Sequence, residues 1–227
     1  MISVKNNLKR IVILGSNSFI GKSVIKKFHT HNIKPLLVSR KLVDFENKKS
    51  IYKLKKILKE DDIIIFIAAI APVKNIEMLN QNLLMCKNVI EALKFTKPKH
   101  IIYISSDAVY SDSKNKIDEK SNTIPLSLHG FMHLIRETMF NELNCLKSFI
   151  RPTLVYGNSD PHNGYGPNKF IRFAQNNKKI ILFGKGEEKR DHIHVEDVAE
   201  IVLLTAIKKI TGIINAVSGD VTSFYEI

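Results

Sequence analysis

The residues of this 227-residue chain that could do chemistry fall into three groups. The first is GSNSFIG, Gly15 to Gly21. Short polar residues between two glycines, directly after the apolar run Ile11 to Leu14, make a turn whose backbone N–H groups and following helix N-terminus suit a pyrophosphate. Gly15 lets the chain reverse, and Gly21 lets a helix pack close to the strand. Ser18 stands where the usual Gly-x-x-Gly-x-x-Gly form has its middle glycine. An ordinary αβ turn has the same outline, so this stretch alone leaves both readings open. The second group is Ser105-Ser106-Asp107, which follows the apolar run from His100. A polar cluster at the carboxyl end of a buried strand is where an α/β site is expected. The third is His129 and His133, which are four apart and so share one helix face and can point into one pocket. An imidazole titrates near ~6.5 and needs no neighbouring cation to take a proton near neutrality.

These groups need particular elements to hold them. Ile11–Leu14, Pro35–Ser39, the run IIIFIAAIAP from Ile63, His100–Ser105 and Ser148–Arg151 read as buried strands, the last stopped by Pro152. Phe19 to about His31, Ile51–Leu58, Asn75 to about Phe95 and Ser127–Leu143 have apolar residues at helical spacing. Strand and helix alternate regularly, which means a doubly wound parallel sheet. Ser111–Thr123 is a polar loop. Beyond Pro152, glycines and prolines punctuate a smaller lobe, with strands expected at Ile180–Phe183 and Gly212–Val217 and a helix at Val195–Ala206. Arg40 follows the second strand. A basic residue there suits a ribose 2′-phosphate, whereas an acidic one grips the 2′-OH, so Arg40 tilts the reading toward NADP over NAD. Asp44-Phe45 falls where an adenine could be flanked, and Ala68 and Ala69 let a ligand lie close to the backbone. Ser223-Phe-Tyr-Glu226 is a capping box just before the last residue, which reads as the start of a helix whose body lies in a further C-terminal portion.

The formal net charge is +13. The lysines are scattered and no aromatic platform interleaves them, so a solvated basic surface is favoured over nucleic-acid binding. No apolar run is long enough to span a bilayer, and the first ten residues have no secretory pattern. Cys86 and Cys145 form no metal or redox pattern and fit a reduced cytoplasmic protein. His192 and His194 alternate on one strand, but no third ligand accompanies them, so no metal is expected and packing is the reading.

GSNSFIG, IAAIAP, NLLMCKNVIEA, YISSDAVY, RPTLVYG, GYGPNKFIR and RDHIHVEDVA occur in that order. Together they resemble the extended short-chain dehydrogenase/reductase family, NAD(P)-dependent sugar-nucleotide epimerases and dehydratases, over nearly the whole chain from about Lys9. The resemblance implies a Rossmann-type domain at 1–152 and a substrate lobe at 153–227, interleaved with returning sheet elements and incomplete at its C-terminus. It implies cofactor contacts at Gly15, Ser16, Asn17, Ser18, Phe19, Ile20, Gly21, Arg40, Asp44, Phe45, Ala68, Ala69, Asn82, Ser105 and Pro152. Asp107, Asn168, Lys169 and Arg190 would meet a nucleotide-diphosphate sugar. Ser106 matches the family's substrate-orienting Ser/Thr. His129 falls where its tyrosine base belongs, His133 where its lysine belongs, and Glu137 matches an acidic residue further along. Tyr52–Lys56 and Tyr110–Lys114 also have Tyr-x-x-x-Lys spacing and read as chance. The expected chemistry is oxidoreduction or epimerisation at a sugar hydroxyl, commonly C4, with His129 as base and His133 bonding the nicotinamide ribose. Dehydratase ranks last, because Asp107 is followed by Ala108. The alternative is a nucleotide-binding module without catalysis. A homodimer through the helices near Asn82 and Leu134, and no nucleic-acid or membrane partner, complete the expectation.

Overall fold

The computed structural model describes residues 9–113, 115–158, 160–161 and 164–227. Three runs rich in Ile form its centre: β1 (Ile11–Leu14), β3 (Ile63–Phe66) and β4 (His100–Ile104), every residue of them buried. Strands covered on both faces read as unbroken apolar runs, which is why these were legible. With β2 (Leu36–Val38), β5 (Leu146–Pro152) and β8 (Gly212–Ala216) they make a six-stranded parallel sheet in the order β2-β1-β3-β4-β5-β8. β1 pairs with both β2 and β3. The strand order reverses there, so the crevice above the carboxyl ends of these strands is where an α/β sheet binds ligands.

Helices cover both faces. α1 (Phe19–Thr30) and α6 (Val195–Lys208) pack on one, burying Val24, Phe28, Val198 and Val202 against Ile11, Ile13 and Ile65. α2 (Lys49–Ile57), α3 (Ile76–Thr96) and α4 (Leu128–Phe140) pack on the other, burying Leu54, Cys86, Val89 and Phe140 against Val12, Leu14 and Phe66. Each fully buried aliphatic or phenyl side chain contributes about 2 kcal/mol. α3 and α4 start at side-chain caps: Asn75 accepts from the Met78 N–H, and Ser127 from the Gly130 N–H. No described helix is long and apolar enough to cross a membrane.

The smaller lobe departs from the sequence reading. It holds a second sheet of three strands, β6 (Leu154–Tyr156), β7 (Lys189–His194) and β9 (Val221–Ser223), and the helix α5 (Pro167–Gln175). Ile180–Phe183 is not a strand. Ile181 and Phe183 are exposed, and no described sheet edge pairs with this run, so apolar content alone does not make it extended. Gly212–Ala216 belongs to the main sheet, beside β5. The capping box forms: the Ser223 N–H donates to Glu226 Oε2 at 2.8 Å, and the Glu226 N–H to Ser223 Oγ at 3.3 Å.

Candidate active site

A cavity of about 420 Å³ lies between the carboxyl edge of the main sheet and the smaller lobe. The sheet contributes Ala69, Ser105, Ser106, Asp107 and Pro152, α1 contributes Phe19 and Ile20 next to Ser18, and α4 contributes His129 and His133. Tyr156, Asn168 and His192 come from the smaller lobe.

The first turn is built around its glycines. Gly15 has φ +99°, and a Cβ on it would stand 2.6 Å from the Ala68 backbone nitrogen. No other residue fits there. Ser18 caps α1: its hydroxyl donates to the Gly15 carbonyl at 2.9 Å and accepts from the Gly21 N–H at 3.1 Å. The side chain that replaces the usual glycine is therefore folded into the turn. Gly15, Ser16, Asn17 and Gly21 form the turn behind the cavity wall, and Ser18, Phe19 and Ile20 face it. The leading N–H groups of a helix have no partner within the helix, which leaves this end suited to an anion.

α4 comes close to the turn that follows β4. A Cβ on Gly130 would stand 2.0 Å from the Ala108 carbonyl oxygen. That approach sets the histidines beside the 3-10 turn Asp107–Val109. The two imidazoles meet edge to face, ring centroids 4.7 Å apart. His129 is half-buried, and the Val73 N–H points at its Nδ1 at 3.5 Å. His133 is buried, with Nδ1 2.6 Å from the Tyr103 hydroxyl. Burial first, then His129 and Arg136, hold the His133 pKa well below the usual imidazole value. His133 is thus neutral and cannot supply the charge that a lysine at its position would carry.

Beneath this wall lies a buried charged network. Arg151 grips Glu137 through Nε (3.0 Å) and Nη2 (2.6 Å), and donates to the Tyr110 hydroxyl at 2.6 Å. The Ser105 hydroxyl donates to Glu137 at 2.6 Å, so it is already engaged below the cavity floor. Ser106 Oγ accepts from the Ala108 N–H and donates to Asp107 Oδ1 at 3.2 Å. Desolvation pushes the Asp107 carboxyl up to about 6.

Several residues expected at the site lie off its wall. The Phe45 ring is 4% exposed and packs edge-on against Phe66, while Asn88 binds its carbonyl. That ring cannot flank an adenine, because the core has taken it. Asn82 is fully buried: its amide binds the Ile70 N–H and carbonyl and the Met78 carbonyl, so it holds the loop after β3 and makes no wall contact. Ala68 closes on Gly15. Arg40 pairs with Glu46 at 2.7 Å and lies 3.8 Å from Asp44. Arg190 pairs with Asp112 and Glu188, and Lys169 lies over the Phe173 ring. Tyr52 is exposed on α2, and Tyr110 is held by Arg151; Lys114 lies outside the described residues.

Tyr103 and Arg136 were missed. A tyrosine inside a buried strand needs a partner for its hydroxyl, and that was the available signal. The histidines of β7 also diverge. His194 caps α6, accepting from the Glu196 N–H at 3.4 Å, while His192 lies at the cavity.

Residues 11–216 match the NAD dependent epimerase/dehydratase family. The chain belongs to it. Among curated relatives, the dTDP-D-glucose 4,6-dehydratase of Dictyostelium discoideum is 29% identical over 69% of this chain and 40% of its own length. The ADP-L-glycero-D-manno-heptose-6-epimerase of Brachyspira hyodysenteriae is 24% identical over 96% of this chain and 78% of its own. A solved UDP-N-acetylglucosamine 4-epimerase of Bacillus cereus superposes with a TM-score of 0.85 at 24% identity, covering 96% of this chain and 78% of that one. The Rossmann-type architecture is therefore that of the epimerase/dehydratase family, whose relatives act on nucleotide sugars.

Proposed function

We propose that this chain binds a nicotinamide dinucleotide along the carboxyl edge of the main sheet and a nucleotide-diphosphate sugar in the cavity, and interconverts a sugar hydroxyl and ketone. The observation that carries the proposal is the pair His129 and His133, two imidazoles 4.7 Å apart on the cavity wall beside Ser106 and Asp107. Residues fitting the cofactor are the α1 N-terminus with Ser18, the small Ala69 and the apolar Ile20 and Pro152. The nicotinamide, when bound, supplies acceptance and return of hydride. His129 takes the hydroxyl proton and gives it back. Ser106 orients the sugar, His133 offers a neutral hydrogen-bonding edge, and the apolar walls exclude water. C4 is the expected position of attack, by resemblance alone. Asn168, Arg190 and Lys169 are proposed to bound the nucleotide end. Dimerisation through α3 and α4 is part of the same proposal; these helices leave Leu84, Phe131 and Ile135 exposed.

Arg40 counted alone favoured NADP. Two carboxylates already face it, Glu46 and Asp44. Its guanidinium is already engaged there and is not free to grip a 2′-phosphate, so we propose NAD.

One observation favours a second reading, binding without turnover: the residue at the family's lysine position is neutral. The test is hydride exchange, followed at the nicotinamide absorbance, with purified protein, NAD and a panel of UDP- and dTDP-sugars, alongside His129→Ala. Turnover that disappears in the variant supports the first reading. Binding of NAD with no turnover on any sugar supports the second.

A further inference from the structure

The proton on His133 is placed by neighbours that the proposed chemistry does not itself use. We infer that Tyr103 is a positioning residue that fixes His133 with its proton on Nε2, so that the ring presents an N–H donor to the cavity. The idea deepens the functional reading only in what that donor would meet; the proton's location stands on the protein alone.

Arg136 is fully buried, and its guanidinium donates to the Asn82 carbonyl, the Asn82 side chain and the Ala68 carbonyl. Its positive charge acts on the buried Tyr103 hydroxyl and favours the oxygen lone pairs turning toward it. A guanidinium has donors and no acceptor, so it cannot receive the Tyr103 proton, and a buried hydroxyl needs an acceptor for it. The Tyr103 O–H is then directed at its remaining partner, His133 Nδ1, 2.6 Å away. A nitrogen that accepts a hydrogen bond carries no proton. Because the buried ring is neutral, its one proton sits on Nε2. The opposite tautomer would set the Tyr103 hydrogen between a ring N–H and a guanidinium with no acceptor, which disfavours it by about tenfold or more.

The outer edge of the ring completes the picture. His133 lines the cavity beside His129, and its Nδ1 is turned inward to Tyr103. Nε2, on the opposite side of the ring, is the nitrogen left for the cavity. The fitting ligand atom is an oxygen acceptor such as a ribose hydroxyl. Arg136 keeps the permanent positive charge, one layer behind the wall, where it also holds the loop after β3 through Asn82.

The test is ¹⁵N NMR of the histidine ring nitrogens at pH 7 on the full chain without added ligand, for the wild type and for Tyr103→Phe, whose volume is nearly unchanged. The expected wild-type spectrum gives His133 a protonated Nε2 and a bare, hydrogen-bonded Nδ1. Tyr103→Phe should shift the tautomer ratio by about tenfold, while the melting curve reports whether the variant folds. The inference is overturned by a proton on Nδ1, by a doubly protonated ring at pH 7, or by a folded variant whose ratio stays unchanged. If the variant does not fold, the wild-type spectrum decides alone. Absence of turnover on nucleotide sugars, by contrast, would leave the spectrum as it is and count only against the functional reading.

Discussion

The two sides of the cavity are built differently. On the sheet side, buried groups lock one another: Arg151 on Glu137, Glu137 on Ser105, Arg136 on Asn82, Tyr103 on His133. On the lobe side, the ion pairs of Arg190 are exposed, Ile181 and Phe183 face solvent, and short strands alternate with loops. The two sides therefore differ in what they can hold rigid. Buried reciprocal contacts fix the groups that we propose to react, as pre-organisation requires. Solvated pairs and loops, which on the proposed function bound the substrate, can change at little cost to the fold.

The sharpest way to break this contrast is to cut one buried pair and one exposed pair. Glu137→Ala leaves Arg151 charged and unpaired in the core, and should destabilise by about 3–5 kcal/mol in urea unfolding. Asp112→Ala, on the exposed partner of Arg190, should change stability by less than about 1 kcal/mol. Equal effects would dissolve the distinction. Glycines give a second comparison. Gly15→Ala meets the Ala68 backbone at φ +99° and should cost about 2 kcal/mol or more, whereas Gly184→Ala, at φ +55° with nothing within 4 Å, should cost about 1 kcal/mol. Thermal melts of the two variants rank them.

How much of this was readable beforehand follows the same division. The buried strands and the glycine turn were legible because runs rich in Ile and a required positive φ leave direct marks in sequence. His129 and His133 were legible as a pair because four-residue spacing on a helix fixes a shared face. Phe45 was misplaced, since nothing local decides whether an aromatic after a strand turns to ligand or to core. The direction of the Tyr103 hydrogen depends on Arg136, thirty-three positions away in chain order, and no periodicity reports it. Ile180–Phe183 failed as a strand because pairing needs an edge, which belongs to the fold and not to the segment.

Acid probes the buried side more gently. Desolvation lowers the pKa of His100 to about 4 and that of His133 well below its usual value. The folded state then binds fewer protons than the unfolded one below pH ~6.5, so stability falls as pH drops from there toward 4. Asp107, raised to about 6, works oppositely and regains stability as pH falls through 6. Two imidazoles against one carboxyl leave a net loss. In His100→Asn, the loss between pH 7 and pH 5 should be smaller by about 1–2 kcal/mol, measured as urea midpoints at the two pH values. The smallest expected effect lies at the exposed end of β2. Glu46→Gln leaves Arg40 one carboxylate fewer and should move the NAD/NADP affinity ratio toward NADP by up to about fivefold, read by fluorescence titration of both dinucleotides.

On the proposed function an imidazole on α4 does the proton transfer beside a bound nicotinamide. Single-turnover hydride transfer by wild type and His129→Ala, at saturating NAD and nucleotide sugar, tests that claim. The claim predicts a rate lower by about 10²–10⁴ in the variant, with NAD affinity changed less than about threefold. A rate within about tenfold of wild type, or a wild type that binds both ligands and transfers no hydride, would contradict it.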